Sequence, residues 1–194
     1  MSQFKFENRL SSPYNDINKY YYKQISDDLV TQLESFDCGN SAMNDFIKQK
    51  TLSYGYHFAK RLHTKVIFYE EEIIGYFSLC ASVIQVENEC ISKIQTFPAV
   101  EFSKIAISNK CQGNGIGSFI ITDILKQCSA LNDTCAVAYI IGWSVPERIK
   151  YYQKLGFEVY SSIFQKNLPD EFIINRESGI LDTQNLHFIT QKLS

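Results

Sequence analysis

Three glycines alternate with other residues in the stretch Gln112-Gly113-Asn114-Gly115-Ile116-Gly117-Ser118. Main-chain N–H groups are strong donors, and the first few of a helix have no partner within it. Glycine removes the Cβ atoms that would hold an anion off those donors. A hydrogen bond to a charged group contributes roughly 1.5–3 kcal/mol against ~0.3–1 kcal/mol from the helix dipole, so converging N–H groups dominate. The chemistry offered is phosphate binding; the plainer alternative is a tight turn. Spacing excludes two kinds of phosphate loop. No Lys follows Gly115 or Gly117, as a Walker loop requires, and Ser118 stands where a dinucleotide fingerprint has its last glycine.

The elements that must present this loop are legible on either side of it. Phe102 to Ile107 is an apolar run of strand length, and Ser108 to Cys111 is a polar turn. Beyond the glycines, Ile120, Ile121, Ile124, Leu125 and Cys128 fall at helical spacing. The reading is strand, glycine-rich loop, helix.

What remains of the motif, Gln112-x-x-Gly115-x-Gly117, resembles the pyrophosphate signature Arg/Gln-x-x-Gly-x-Gly/Ala of the GNAT superfamily of N-acetyltransferases. A second phrase, Tyr151-Tyr152-Gln153-Lys154-Leu155-Gly156-Phe157, resembles that family's Phe-Tyr-x-Lys-x-Gly-Phe, and it follows the loop in the family's order and spacing. A third, Phe36-Asp37-Cys38-Gly39-Asn40-Ser41-Ala42-Met43-Asn44-Asp45-Phe46-Ile47, is similar to one near the start of a GNAT branch. That branch includes the toxins of toxin–antitoxin pairs that acetylate the amino acid on charged tRNA. Those relatives usually carry an Arg shortly before the second strand; this chain has His63 at or near that place, with Arg61 close by. Helix capping and turn chemistry alone also account for every residue of the third phrase.

The resemblance implies an α/β GNAT fold: a mixed, mostly antiparallel sheet with splayed central strands flanked by helices, with residues 1–194 forming one domain. It implies acetyl-CoA as cosubstrate and no metal. The pantetheine arm would pair with the backbone of Ile105, Ala106 and Ile107. The pyrophosphate would take N–H groups from Gln112, Gly113, Asn114, Gly115, Ile116, Gly117 and Ser118. Tyr152 would stand beside the thioester sulfur as the catalytic residue. A phenol of ordinary pKa ~10 is protonated at neutral pH and can donate to a departing thiolate. A tyrosine on an apolar helix face is the structural alternative.

The implied activity is acetyl transfer to a primary amine of a protein, peptide or small molecule, by direct attack in a ternary complex. Two alternatives are a toxin acetylating aminoacyl-tRNA and a non-catalytic acyl-CoA-binding module. Neither motif contains His, and Glu101 is the one carboxylate on the central strand near the site. Deprotonating a lysine amine at pH 7 costs near 4–5 kcal/mol, an α-amine only about 1.4 kcal/mol. A chain without a clear base therefore suits a low-pKa amine. Candidate partners are the amine acceptor, tRNA, an antitoxin protein and a second copy of the chain.

Composition bounds these readings. The 194 residues suit one domain, and a net charge of −2 advertises no global nucleic-acid surface. Six cysteines without a C-x-x-C pair read as reduced thiols, mostly small core residues, rather than a disulfide framework or zinc site. No secretory leader and no apolar run long enough to span a membrane is visible, so a cytoplasmic enzyme is expected.

The pattern along the chain predicts a first strand over Tyr20 to Gln24. It then predicts a short helix capped near Ser26 and running to about Glu34, and a helix capped by Asn40 or Ser41 running through about Ala59. Lys48, Lys50, Lys60, Arg61, His63 and Lys65 form a basic stretch, read as a phosphate-meeting or simply solvated helix face. A hairpin is predicted from Val66–Tyr69 and Ile73–Ala81, with Glu70-Glu71-Glu72 as its tip. Gln85 to Phe97 reads as a loop and Pro98 as the entry to the central strand. Ala136 to Ile141 reads as a strand, Ser144 and Pro146 as a helix start. Strands are predicted at Val159–Gln165 and Asn185–Gln191, and Asn167 to Gln184 has no assignment.

Overall fold

The computed structural model describes residues 10–11, 13–50, 61–88, 93–159 and 187–193. Among them the strands are β1 (Tyr20–Gln24), β2 (His63–Tyr69), β3 (Glu72–Asn88), β4 (Lys93–Ile107), β5 (Tyr139–Ser144), β6 (Glu158–Val159) and β7 (His187–Lys192). They hydrogen-bond in the order β1-β2-β3-β4-β5-β7-β6. The helices are α1 (Val30–Leu33), α2 (Ser41–Asp45), α3 (Ile116–Ala130) and α4 (Ile149–Lys154). Two compact units divide the chain, residues 1–78 with 104–124 and residues 79–103 with 125–194, and β3, β4 and α3 contribute to both.

In the first unit β1 pairs antiparallel with β2, from Tyr20 opposite Tyr69 to Gln24 opposite Lys65. Leu29 and Leu33 from the first helical segment, with Phe46 and Ile47 beyond α2, bury against Val66, Phe68 and Tyr76. Fully burying one such side chain contributes roughly 1.5–3 kcal/mol, so these residues hold the helical segments on the strands. Tyr22 donates to Asp123 at 2.7 Å, tying β1 to α3. Asn40 caps α2, its carboxamide oxygen accepting from the Met43 N–H at 3.1 Å. At Gly75 an added Cβ would lie 2.5 Å from the Ala106 carbonyl oxygen, so β3 and β4 approach closely only because residue 75 has no side chain.

In the second unit β4 and β5 are parallel, Ala99 opposite Tyr139 through Phe102 opposite Gly142. The ladder stops there, although β4 runs on to Ile107 and β5 to Ser144. β7 pairs antiparallel with β5 and also with β6, and so lies between them. The sheet is thus mixed, with β4–β5 parallel and the β1–β2, β5–β7 and β6–β7 pairs antiparallel, as the resemblance implied.

Several boundaries differ from expectation. Gln85–Asn88 and Lys93–Phe97 are strand rather than loop, because strand pairing depends on backbone partners rather than on side-chain polarity. Pro98 lies inside β4, and its carbonyl accepts from the Ala138 N–H at 2.9 Å. That contact fixes where β5 can start, and β5 begins at Tyr139, not Ala136. Ser26 makes no capping hydrogen bond. Val145, not Ser144, is the cap before Pro146; the Ser144 hydroxyl donates to the Val145 carbonyl at 2.9 Å. α2 ends at Asp45 in a wide π-type turn, Phe46–Lys50, and its expected extension over 51–59 lies outside the described residues. So do Lys60, 160–165 and 167–184, whereas β7 falls where the last strand was expected. Among the described residues no helix is long and apolar enough to cross a membrane.

Candidate acetyl-transfer site

The glycine loop belongs to the first unit. It leaves β4 through a 3-10 turn, Asn109–Cys111, and enters α3 at Ile116. Its carbonyls are held by the protein itself. The Asn114 carboxamide donates to the Cys111 carbonyl at 3.1 Å and to the Gln112 carbonyl at 3.2 Å. The Asn114 carbonyl accepts from the Ser11 N–H at 3.2 Å. A trans peptide holds its C=O and N–H in opposite directions. The Gly113 N–H therefore points away from the Asn114 side chain, and the Gly115 N–H away from Ser11. Gly113 and Gly115 have φ of +81° and +80°, the left-handed region that glycine adopts without strain. An added Cβ on Gly113 would meet no atom of the described residues within 4 Å, so among them that side of the loop is open. Among the described residues no turn or loop hydrogen bond uses the N–H groups of Gly113, Asn114, Gly115, Ile116 or Gly117.

Gln112 differs from its neighbours. Its N–H turns inward, to the carbonyls of Ser108 at 3.1 Å and Asn109 at 3.4 Å. Its carboxamide nitrogen donates to Ile107 O and to Cys38 O, both at 2.9 Å. Gln112 is a strut between the end of β4 and the turn ahead of α2. Of the β4 residues expected to face the cosubstrate, Ala106 is buried with its carbonyl towards Gly75, and Ile105 and Ile107 are half-buried.

Tyr152 belongs to the second unit. It is 8% exposed and stacks on Phe102, ring centroids 5.7 Å apart and planes 26° from parallel. Phe157 meets both rings edge-on, at 5.7 Å from Tyr152 and 5.6 Å from Phe102. The phrase Lys154-Leu155-Gly156-Phe157 explains this trio. Gly156 ends α4 at φ +89°, and the N–H groups of Leu155 and Phe157 fold back onto the Tyr152 carbonyl at 2.9 and 3.1 Å. The turn so made delivers Phe157 beside the tyrosine. On the other side Gly142 leaves room for Phe102: an added Cβ would sit 2.6 Å from the ring. A glycine inside an apolar strand was the available sequence signal for this close approach.

Burial pushes the Tyr152 phenol up to about 12; neighbouring Tyr151 adds to the effect and Arg148 opposes it. The hydroxyl stays protonated, a donor, throughout the neutral range. Glu101, in register with Ile141, is half-buried on β4, and the Ser82 hydroxyl lies 3.5 Å from its carboxylate. Burial, then the charge of Glu101, pushes the Cys80 thiol up to about 12. Cys38, Cys80, Cys111, Cys128 and Cys135 are free thiols. Among the described residues no cluster of His, Cys, Asp or Glu is arranged to hold a metal ion. Of the basic stretch, His63 and Lys65 lie on β2, and the Lys65 ammonium sits 5.8 Å over the Tyr22 ring, a strand position rather than a helix face.

Residues 60–159 match the family model of the acetyltransferase (GNAT) domain. The chain belongs to the GNAT acetyltransferase family. It is 20% identical over 143 residues to a tRNA-acetylating toxin of Mycobacterium tuberculosis (strain ATCC 25618 / H37Rv), a match spanning 71% of this chain and 83% of that protein. Its fold is similar to that of AtaT complexed with acetyl-methionyl-tRNAfMet, with a TM-score of 0.62 at 20% identity over 81% of this chain and 99% of the other. It is also similar to a mutant form of the AtaT toxin bound to the C-terminus of the antitoxin AtaR and acetyl-CoA, with a TM-score of 0.61 at 19% identity over 88% and 92% of the two chains.

Proposed function

We propose that this chain, as one acetyltransferase domain in the cytoplasm, transfers acetyl from acetyl-CoA to a primary amine, and that the amine is the α-amino group of an aminoacyl-tRNA. The observation that carries the transfer is the buried, neutral phenol of Tyr152. The loop supports the same reading, since its outward N–H groups and open Gly113 side suit a diphosphate. Acetyl-CoA supplies an activated acyl group and a thiolate leaving group. In this reading the Gly113–Ser118 amides hold the diphosphate, the backbone of Ile105 to Ile107 aligns the pantetheine arm, and the Tyr152 hydroxyl faces the sulfur. As the amine nitrogen bonds to the carbonyl carbon, the C–S bond breaks and negative charge collects on sulfur. A phenol at about 12 is a weaker acid than a thiol near 8.5. Tyr152 therefore stabilises the thiolate by donating a hydrogen bond, and the proton released by the attacking amine provides the net neutralisation.

Two considerations favour aminoacyl-tRNA as acceptor: an α-amine needs little help to lose its proton, and of the matched proteins one is a tRNA-acetylating toxin and another, AtaT, is complexed with acetyl-methionyl-tRNAfMet. An antitoxin protein is the matching protein partner, as AtaT is bound to the antitoxin AtaR. Incubation with labelled acetyl-CoA and a mixture of charged tRNAs, peptides and small amines tests the reading, with label expected on aminoacyl-tRNA. Label on peptides or small amines alone replaces the acceptor. Tight acetyl-CoA binding without turnover on any amine supports the binding-module alternative. No calorimetric binding at millimolar acetyl-CoA ends the assignment. The mass of the protein in solution decides whether it works as one copy or two.

A further inference from the structure

The Asp37-Cys38-Gly39-Asn40 turn is usually read as punctuation before a helix, but its hydrogen bonds run to the loop. The Asn109 N–H donates to the Asp37 carbonyl at 2.9 Å. The Asn109 carboxamide meets the Cys38–Gly39 peptide; oriented to satisfy both its atoms, its nitrogen donates to Cys38 O and its oxygen accepts from the Gly39 N–H, each at 3.1 Å. Gln112 reaches the same Cys38 carbonyl at 2.9 Å. Gly39 is required twice: its φ is +80°, and an added Cβ would lie 2.7 Å from the Asn109 carboxamide. Asp37 holds the turn in shape. Its Oδ1 accepts from the Gly39 N–H and from the Asn44 carboxamide, both at 2.8 Å. The Asn44 carboxamide oxygen in turn accepts from the Cys38 N–H at 3.0 Å.

We propose that this turn is a positioning element for acetyl-CoA binding: Asp37 fixes the Cys38–Gly39 peptide, and that peptide, through Asn109 and Gln112, fixes the direction in which the Gly113–Gly117 amides face. The alternative role for Asp37 is capping α2, but the capping contact belongs to Asn40. Neither Asp37 nor Asn109 touches a reacting atom, so their effect falls on binding. The inference rests on the proposed acetyl-CoA reading.

The test compares Asp37→Ala, Asp37→Asn and Gly39→Ala with the unaltered protein, using calorimetric titration with acetyl-CoA and steady-state kinetics on the acceptor that the labelling experiment finds. Asn at position 37 keeps the oxygen that accepts from Gly39 and Asn44; Ala does not. Asp37→Ala is expected to raise the Kd and KM for acetyl-CoA by about tenfold or more, the effect of one lost charge-assisted contact, while kcat at saturation changes little. Asp37→Asn is expected to restore both. Gly39→Ala is expected to match or exceed the alanine effect; if it does not fold, the Asp37 pair decides. Hydrogen exchange of the 107–117 segment should quicken in Asp37→Ala, with β2 and β5 unchanged. Equal acetyl-CoA affinity in Asp37→Ala and unaltered protein overturns the inference, as does a loss the Asn variant does not rescue. Absence of acetyl-CoA binding by the unaltered protein overturns the function reading instead.

Discussion

Phe102 of β4 lies across Gly142 of β5, so close that a methyl group on residue 142 would meet the ring at 2.6 Å. The two residues are register partners at the last rung of the parallel ladder. Because Phe102 also stacks on Tyr152, the absence of a side chain at 142 sets the position of the proposed catalytic phenol.

Gly142→Ala should therefore act on chemistry as well as stability. Inserting a methyl group into a filled site costs typically about 1–3 kcal/mol. A lowered thermal midpoint together with a lowered kcat is expected, with little change in acetyl-CoA affinity. Normal turnover in a correctly folded variant would show that the Phe102 ring does not position Tyr152.

Tyr152→Phe keeps the stack on Phe102 and removes the hydroxyl. Loss of one donor to developing charge lowers kcat by about 10²–10³-fold in comparable sites, and the same range is expected here. Acetyl-CoA affinity should hold. Turnover at the original rate would remove Tyr152 from the mechanism.

Gly113→Ala separates strain from collision. No atom of the described residues stands where the methyl group would go, but φ of +81° places an L-residue in the left-handed region, at roughly 1–2 kcal/mol. A modest fall in stability and a weakened acetyl-CoA affinity, through a loop relaxed away from this φ, are the expected pair. Unaltered affinity measured by titration would count against this loop as the diphosphate site.

The buried tyrosines predict alkaline instability. Burial raises the phenol of Tyr152 to about 12 and those of Tyr22 and Tyr76 further still. An unfolded tyrosine ionises near pH 10. A raised folded pKa means that the contribution of these groups is complete below about pH 10 and is lost as pH climbs towards 12, since the unfolded chain releases protons first. Because the Cys80 thiol is raised as well, the thermal midpoint should begin to fall above about pH 8.5 and fall steeply above about pH 10, with phenolate absorbance at 295 nm rising together with unfolding. A midpoint as high at pH 11.5 as at pH 9 would contradict the burial of these rings. For the same reason turnover should show no limb from Tyr152 in the neutral range, leaving the acceptor amine to set its pH dependence.

Local signals were easiest to read where one residue type has one physical use. Pro146 marked the start of the short 3-10 turn before α4, and Asn40 or Ser41 was read as the cap of α2, a place Asn40 takes. The strand–loop–helix at residues 102–128 was legible because apolar spacing changes from continuous to helical across three glycines. Polarity misled at Gln85–Asn88 and Lys93–Phe97, where partnered backbone carries strand through residues that look like loop. Of the site, Tyr152 and the glycines stood out in their phrases. Asn109, the strut role of Gln112 and the Phe102–Gly142 contact did not, since each depends on a partner distant in the chain.

The sequence by itself determined which groups exist for chemistry: a run of glycine amides ahead of a helix, and the tyrosine of the Tyr151–Phe157 phrase. Local spacing suffices there, because φ preferences and helix ends act over only a few residues. The tertiary structure decided where those groups point and how they ionise. Gln112 reaches a carbonyl 74 residues earlier in the chain, and Tyr152 owes its raised pKa first to burial. Such contacts arise only when distant segments pack together, and periodicity along the chain carries no record of them.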